Sequence, residues 1–349
     1  MKKKLLLLVD SLETNYGWGT VGFYMLKELQ LKYEVTLINA KEYKIDRFHG
    51  NFFRPFLIFF TYLKILKRIP KDCEIVINTA ENLLGLLFLI KYFNKKIITI
   101  SMGYGTYSYF PFVTSSLKKI HRLYLSSVDY LFLSSNYTIN KVKEFYKKEV
   151  YLLPLGIDLN KYSKISNIKK EKSFVFVGAQ KSRKGVEYLI EAVNIVKKLH
   201  PDIKVYLVGQ QSSIYKEKIN KLNLQDNFVS LGKISHEELL KTYSKCIANI
   251  LPSVNMPDSF EGFGLIHLEA NACGIPSIGS SNTANDDVII DGITGYLAKQ
   301  KDPKDIANKM IKLIDNKDEF QQNIPKLLDH AKLFSWKKTV QNIQTIAKI

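Results

Sequence analysis

The 349-residue chain is 46% hydrophobic and 24% charged, which allows two domains with separate cores and excludes a disordered or fibrous protein. Its three cysteines, Cys73, Cys246 and Cys273, are widely spaced, so neither a disulfide framework nor a zinc site is expected, and a reducing, cytoplasmic setting fits best. The net charge is +18, and residues 1–150 carry 23 Lys and Arg against 12 Asp and Glu, which indicates either an anionic partner or a general enrichment in lysine.

The N-terminal segment contains an apolar run, residues 5–9, that predicts a first strand but is too short for the roughly 7–15 apolar residues of an export signal. GWGTVG, residues 17–22, then matches the G-x-G-x-x-G of dinucleotide-binding proteins. In that motif the first glycine directly follows the strand, and an acidic residue ends the second strand. Here seven residues separate Val9 from Gly17, and the second predicted strand ends at Asn39, so we expect no dinucleotide cofactor.

Residues 47–71 interleave aromatic and basic side chains. Apolar positions lie nearly all round the helix, which predicts a buried helix of the first domain. The alternative is a helix that docks on an anionic membrane through Phe52, Phe53 and Arg54 at its start and Lys64, Lys67, Arg68 and Lys71 at its end. The longest apolar stretches, 56–63 and 83–90, are far shorter than the roughly 20 residues of a spanning helix, so we expect no membrane crossing.

Short β-branched runs alternate with helical patterns over most of the chain, which predicts an α/β protein with parallel sheets covered by helices. The polar, basic residues 161–172 predict a linker between a first domain, 1–160, and a second domain, 173–334. A last helix, 335–349, is expected to return to the first domain. The predicted strands are Leu5–Val9, Val35–Asn39, Glu74–Asn78, Lys96–Ile100, Tyr130–Leu133, Val150–Leu153, Ser173–Val177, Lys204–Val208, Val229–Leu231, Ala248–Leu251 and Pro276–Ile278.

SFEGFGLIHLEANACGIPSIGSS, residues 259–281, holds two glutamates eight positions apart, Glu261 and Glu269. A helix is predicted to start near Gly264 and to stop at Gly274, with Glu261 in the loop before it and Glu269 inside it. The free N–H groups at the helix start favour an anion. Carboxylates on both sides of an anion site suit a phosphorylated sugar, because they accept hydrogen bonds from hydroxyls. The alternative is a surface helix with incidental glutamates.

These motifs resemble those of the retaining glycosyltransferases of the GT-B fold, and family 4 (group 1) in particular. The resemblance covers nearly the whole chain and implies two Rossmann-like doubly wound domains, the first binding the acceptor and the second binding a nucleotide-sugar donor. The matching segments are LPLGIDLNKY (153–162), similar to PNGVD…F; FVGAQKSRKGVEYLIEA (176–192), similar to VGRL…KG…L..A; EGFGL…EA (261–270); DGITGYL (291–297), similar to DG.TG.L; and FSW (334–336) before the last helix.

The resemblance also implies roles for single residues. Glu269 would bind the donor ribose, and Glu261 would contact the donor sugar and stabilise an oxocarbenium-like transition state. Lys184 would neutralise the leaving phosphate. The backbone amides of Phe263, Gly264 and Leu265 would also hold the diphosphate. Gly17 and Gly19, in a glycine loop of the first domain, would contact the same diphosphate. The nucleobase would lie beside the loop of Gly232, Lys233 and Ile234.

The sequence departs from the family pattern at two positions. Ala179 stands where the family has an arginine, and Lys181 or Arg183 could supply the missing charge. Tyr104 stands where the family has a histidine near the acceptor, and tyrosine is a poor general base near neutral pH. His267, inside the key helix, either packs there or faces the donor. There is no D-x-D in a plausible loop, so we expect no metal.

The resulting hypothesis is a metal-independent, cofactor-independent retaining glycosyltransferase. It would transfer a hexose from a UDP- or GDP-sugar to a glycan or lipid-linked saccharide, in the cytoplasm or at the inner face of a membrane, with no nucleic-acid partner. Two alternatives share the fold: a degenerate domain that binds a nucleotide or a partner without turnover, and a nucleotide-sugar epimerase.

Overall fold

The computed structural model describes residues 2–14, 17–45, 54–103, 115–162, 170–257, 259–316 and 322–349. The chain divides into two compact units, Met1–Gly156 with Trp336–Ile349, and Ile157–Ser335. The observed division falls a few residues before the start of the predicted linker, because Ile157 forms a parallel bridge with Ser335 and its backbone N–H donates to the Phe334 carbonyl at 3.2 Å.

The first unit contains a six-stranded, all-parallel sheet with strand order β2-β1-β3-β4-β5-β6. Its first strand is buried as a continuous run, as expected for a parallel strand covered on both faces. The elements are β1 (Lys4–Val9), α1 (Gly17–Leu29), β2 (Glu34–Asn39), α2 (Arg54–Leu66), β3 (Ile75–Asn78), α3 (Leu84–Phe93), β4 (Ile98–Gly103), α4 (Ser115–Ser126), β5 (Tyr130–Leu133), α5 (Asn136–Lys143) and β6 (Val150–Leu152).

The second unit repeats this architecture with the order β12-β11-β10-β7-β8-β9, again all parallel. Its core lies between the sheet and helices such as α7 and α11, which bury apolar side chains completely. The elements are α6 (Leu159–Tyr162), β7 (Ser173–Val177), α7 (Val186–Val196), β8 (Lys204–Val208), α8 (Ser213–Lys221), β9 (Phe228–Gly232), α9 (His236–Lys245), β10 (Ala248–Ile250), α10 (Leu265–Ala272), β11 (Ser277–Ser280), β12 (Gly295–Ala298), α11 (Pro303–Asp315) and α12 (Ile324–Lys332).

The last helix, α13 (Trp336–Ala347), belongs to the first unit. The Trp336 ring stacks on Tyr24 of α1 at 5.3 Å between ring centroids, and the Thr339 hydroxyl donates to the Pro154 carbonyl at 2.9 Å. Apolar burial by Trp336, Val340 and Ile343 fixes the helix on this unit.

The predicted α/β class with two parallel sheets is confirmed. Most strand bounds differ from the sequence prediction by no more than two residues, and two differences among the strands are larger. β4 extends to Gly103, beyond the predicted end at Ile100, because Met102 and Gly103 pair with Phe132 and Leu133 of β5. A twelfth strand, β12, was not predicted; it has only four residues and derives its regularity from pairing with β11.

Gly17 and Gly19 were predicted to lie in a glycine loop, but they lie in the first turn of α1. A Cβ on Gly19 would be 1.8 Å from the Glu13 carbonyl oxygen, so the helix start packs on the backbone that precedes it. The glycine at this position is explained by that close approach.

Gly185 is required by two separate constraints. Its φ is +68°, which side chains rarely adopt, and a Cβ would lie 1.8 Å from the Pro252 carbonyl oxygen. Gly292 has a similar φ of +79°, but a Cβ there would meet nothing within 4 Å.

We therefore expect Gly185→Ala to lower the free energy of unfolding by roughly 3 kcal/mol or more, since strain and a backbone clash add together. Gly292→Ala, the matched control, has only the left-handed strain of about 1–2 kcal/mol. Urea unfolding followed by circular dichroism measures both. Equal losses in the two variants would contradict the role given to the Pro252 contact.

Candidate active site

The turn after β7 presents Lys184 to the carboxyl edge of the second sheet, where binding sites of doubly wound proteins lie. Ser182–Lys184 form a single 3-10 turn that ends at Gly185, and α7 begins immediately after it. The Lys184 side chain lies beside Gly178, because a Cβ on Gly178 would be 3.7 Å from Lys184 Cε and 4.0 Å from Lys184 Nζ.

The loop after β10 docks on this turn and carries Glu261. The Val254 N–H donates to the Arg183 carbonyl at 2.8 Å, and the Pro252 carbonyl lies against Gly185. These backbone contacts bring together two segments that lie 77 residues apart in sequence.

Glu261 is the centre of a buried ionic cluster. Its Oε2 is 2.5 Å from Lys184 Nζ and 2.9 Å from the Arg183 guanidinium. Only 12% of the Glu261 side chain and 11% of the Lys184 side chain are exposed. Burial alone would raise the pKa of Glu261, but the charges of Lys184 and Arg183 and the hydrogen bond from Lys184 outweigh it and hold that pKa at about 2. Burial lowers the pKa of Lys184, and Glu261 opposes that shift.

Helix α10 begins next to this cluster. Gly264 is its N-cap with φ +91° and ψ +47°, and Leu265 is its first residue, as the sequence predicted. Phe263 is buried and lies 6.1 Å from the Phe334 ring between centroids, so the approach to the helix is anchored in the core. The N–H groups of residues 263–265 therefore lie at the positive end of the helix dipole.

Glu269 lies inside α10, beside Tyr162 of α6. Burial raises the pKa of Glu269, and a hydrogen bond from the Tyr162 side chain acts against that shift. The Tyr162 ring meets His236 edge to face at 5.1 Å, and His236 Nε2 lies 2.9 Å from the Lys161 carbonyl oxygen.

The other predicted site residues of the second unit lie at the end of β9 and in the turn after β7. Gly232, with φ +67°, ends β9, and its carbonyl accepts from the Gly209 N–H at 2.7 Å; Lys233 beyond it is exposed and Ile234 half-buried. Of the two cations predicted to replace the missing arginine, Arg183 contacts Glu261 and Lys181 is exposed. Arg183 is therefore the one that belongs to the cluster. Tyr104 lies outside the described residues.

The structure thus brings Lys184, Arg183, Glu261 and the start of α10 into one site within the second unit. Among the residues described, no group of His, Cys, Asp and Glu is arranged to hold a metal ion. In the same part of the chain, no helix has the length and apolar character needed to cross a bilayer. Sequence analysis missed Asn285, whose side chain borders Gly264, because an asparagine in a polar loop gives no signal of burial.

The chain is similar in sequence to known glycosyltransferases. Residues 158–326 match the family model of glycosyl transferases group 1. An uncharacterised glycosyltransferase of Methanocaldococcus jannaschii is 27% identical over 90% of this chain and 86% of its own length. Another from the same organism is 30% identical over 49% of this chain, but the match spans only 46% of that relative.

Two further comparisons bear on the ligands of related proteins. The GDP-mannose-dependent monoacylated alpha-(1-6)-phosphatidylinositol monomannoside mannosyltransferase of Corynebacterium glutamicum is 24% identical, over 64% of this chain and 61% of that protein. HepE of Anabaena, in a crystal structure with UDP and glucose, superimposes with a TM-score of 0.79 at 15% identity, over 99% of this chain and all of that chain.

The two parallel six-stranded sheets have the GT-B fold of these solved glycosyltransferases. The match to the model of glycosyl transferases group 1, residues 158–326, lies within the second unit.

The ionic cluster makes stability depend on pH in a defined direction. The pKa of Glu261 is about 2 in the folded chain against an ordinary value of 4.5. A carboxyl with a lowered pKa stabilises the fold fully above its unfolded pKa, and that contribution is lost as the pH falls towards the folded pKa. We expect the free-energy difference between wild type and Glu261→Gln to shrink between pH 6 and pH 3, by roughly 2 kcal/mol.

Urea unfolding at several pH values measures this difference. Glu237→Gln is the control, since Glu237 is a fully exposed partner of Lys241 and should change stability little at any pH. A difference between wild type and Glu261→Gln that stays constant with pH would contradict the assignment.

Proposed function

We propose that this protein is a retaining glycosyltransferase that transfers a hexose from a UDP- or GDP-sugar to a glycan or lipid-linked saccharide, without a metal or other cofactor. The observation that carries the proposal is the buried cluster of Glu261 with Lys184 and Arg183 at the start of α10. A cation pair, a carboxylate and a helix N-terminus in one place provide for an anion and for the positive charge that develops next to it.

The diphosphate would bind on the cationic side of this cluster. Lys184 has three donor hydrogens, so it can contact a phosphate oxygen while it keeps Glu261 as a partner. Arg183 would supply the charge of the arginine that Ala179 lacks, with exposed Lys181 as a further contributor. The N–H groups of Phe263, Gly264 and Leu265 would complete this part of the site.

The two carboxylates would have separate roles because their environments differ. Glu261 stays ionised, since its cationic neighbours hold its pKa at about 2, so its charge is available to contact sugar hydroxyls and to stabilise an oxocarbenium-like transition state. Glu269, in the second turn of α10, would accept hydrogen bonds from the ribose hydroxyls. The base would lie next to Gly232, Lys233 and Ile234.

In the proposed reaction, the bond between the anomeric carbon and the β-phosphate oxygen breaks while the acceptor hydroxyl approaches from the same face. The acceptor proton passes to the leaving phosphate, so neither Tyr104 on the acceptor side nor another side chain needs to act as the base. Lys184 and Arg183 would stabilise the negative charge that accumulates on the nucleoside diphosphate.

The choice of donor and acceptor is suggested by the relatives. HepE was crystallised with UDP and glucose, and the Corynebacterium mannosyltransferase is named for GDP-mannose and for a phosphatidylinositol monomannoside. These names support a UDP- or GDP-sugar as donor and a lipid-linked saccharide as acceptor. A lipid-linked acceptor would place the protein at the inner, cytoplasmic face of a membrane.

Helix α2 has the surface that membrane contact requires. Tyr62 and Ile65 pack into the core of the first unit, so the helix is held to the protein on one side. On the other side Phe59 is 46% exposed and Phe60 is 50% exposed. The basic residues that follow are exposed as well: Lys64, Lys67, Arg68 and Lys71. Phe52 and Phe53 and the side chain of Arg54 lie outside the described part.

Turnover with a panel of UDP-, GDP- and ADP-sugars tests the function. We expect slow donor hydrolysis by the wild type, a loss of about 100-fold or more in Glu261→Gln and a similar loss in Lys184→Met, because each removes a charge that stabilises the transition state. Glu237→Gln, an exposed carboxylate on α9, should keep wild-type turnover.

The alternatives give different results in the same assay. Nucleotide binding without turnover in the wild type would indicate the degenerate domain, and conversion of the donor sugar to its epimer would indicate the epimerase. A product that keeps the anomeric configuration of the donor is expected, and an inverted product would overturn the retaining assignment.

Sedimentation with vesicles tests the membrane surface. The wild type should pellet with vesicles that contain anionic lipid at low salt, and the combined variant Phe60→Ser, Lys64→Glu, Lys67→Glu should stay in solution because it loses apolar and electrostatic attraction together. Leu199→Ser removes an apolar side chain of the second unit that is even more exposed, at 67%, and should pellet like the wild type. No lipid-dependent pelleting of the wild type would rule out this surface.

A further inference from the structure

Asn285 presents a buried amide nitrogen beside the start of α10. It lies in the 3-10 turn Ala284–Asp287, after β11, and is completely buried. Its Oδ1 accepts from the Ser253 hydroxyl at 3.0 Å and from the Ser280 N–H at 3.1 Å. Because a backbone N–H can only donate, the atom that faces Ser280 must be the oxygen. The amide nitrogen therefore points the other way, and it has no hydrogen-bond partner within the described ranges.

His267 presents a second such group from α10 itself. Its Nδ1 lies 3.3 Å from the amide nitrogen of Asn249, which also donates to the Ser277 hydroxyl at 3.2 Å. In this orientation of the Asn249 amide, Nδ1 accepts and the ring hydrogen is on Nε2. The ring is completely buried, and Nε2 has no partner in the part of the chain that the structure describes. Burial lowers the pKa of His267 to about 3, so the ring is a neutral donor near neutral pH.

Both nitrogens border the same glycine. A Cβ on Gly264 would lie 2.9 Å from Asn285 Nδ2 and 3.6 Å from His267 Nε2. Gly279 on β11 admits the asparagine, since a Cβ there would lie 3.0 Å from Asn285 Oδ1. Two side-chain donors from different elements thus meet the N-terminus of α10, where the helix dipole already favours an anion.

Two buried donors at one point that have no partner among the described residues are costly unless an acceptor arrives. We propose that Asn285 Nδ2 and His267 Nε2 are binding groups for the donor diphosphate, both donating to oxygens of the phosphate at the start of α10. This inference rests on the proposed function and adds two neutral side chains to it.

The neutral donors Asn285 and His267 differ from the cations of the site in the partners they already have. Lys184 and Arg183 are already paired with Glu261, so a phosphate that binds there shares their charge. No acceptor among the described residues competes for the Asn285 and His267 groups, so an oxygen of the ligand or of a water molecule can satisfy them. They therefore favour a ligand with oxygens at this point over a nucleoside that ends at the ribose.

Calorimetric titration with UDP, GDP and ADP, and with the corresponding nucleosides, tests the inference on the full chain. Asn285→Asp keeps the Oδ1 acceptor but replaces the donor nitrogen by oxygen. His267→Leu removes the ring donor, and His267→Gln restores an amide donor. We expect affinity for the best-bound diphosphate to fall tenfold or more in the first two variants and to recover in the third, with nucleoside affinity unchanged throughout.

Asn282→Asp is the matched control, because it makes the same substitution on an exposed residue three positions away and should leave diphosphate binding close to wild type. Circular dichroism checks that each variant is folded. If a variant does not fold, the wild type still tests the idea. The ¹⁵N signals of the Asn285 amide and the His267 ring should shift when UDP or GDP is added and should not shift with the nucleoside.

The outcomes separate the two levels of the proposal. If the wild type binds none of the nucleoside diphosphates, the proposed function fails and this inference fails with it. If the wild type binds one and the Asn285 and His267 variants bind it equally well, or the two nitrogen signals do not respond, the two groups serve only a buried water and this inference alone is overturned.

Discussion

The buried charge of Glu261 constrains the site more than any other single feature. An ionised carboxylate in a dry environment is tolerated only with close partners, and Lys184 and Arg183 provide them at 2.5 and 2.9 Å. Their positions depend on Gly185, whose missing side chain lets the loop after β10 rest on the turn after β7. Removal of Glu261 would leave the buried Lys184 without its carboxylate partner and would free Arg183 at the same time, so the cluster behaves as one unit rather than as two separate ion pairs.

Helix α10 then sets the two glutamates in contrasting surroundings. Glu261, before the helix, faces cations, and its pKa is held low; Glu269, inside the helix, faces Tyr162, and burial raises its pKa. The same residue type can thus perform electrostatic stabilisation at one position and hydrogen-bonding recognition at another, because the neighbours decide which protonation state is favoured. Tyr162 comes from the short helix after the boundary between the units, so the ribose end of the proposed site is tied to that connection.

The sequence predicted much of this arrangement, because several determinants are local. Alternating apolar runs predicted the parallel strands, and Gly264 and Gly274 predicted the bounds of α10. The contacts that complete the site depend on tertiary docking, and no local pattern encodes them. Arg183 was one of two candidates until the fold placed it against Glu261, and Asn285 reaches Gly264 only because β11 lies next to β10. The prediction that GWGTVG forms a glycine loop was wrong, since the segment begins a helix and Gly19 and Gly22 permit close approach to the preceding backbone.

The route of the chain between the two units has a consequence for synthesis. The second unit is one continuous stretch, whereas the first is built from two stretches that flank it, and Trp336 of the second stretch fills a stacking position against Tyr24. On the ribosome, the second unit has its whole sequence available while the first still lacks its last helix. Domains generally fold in the order in which they emerge. Here the part that is translated first is completed last, and the exposed surface of α1 must stay free of other partners until α13 arrives.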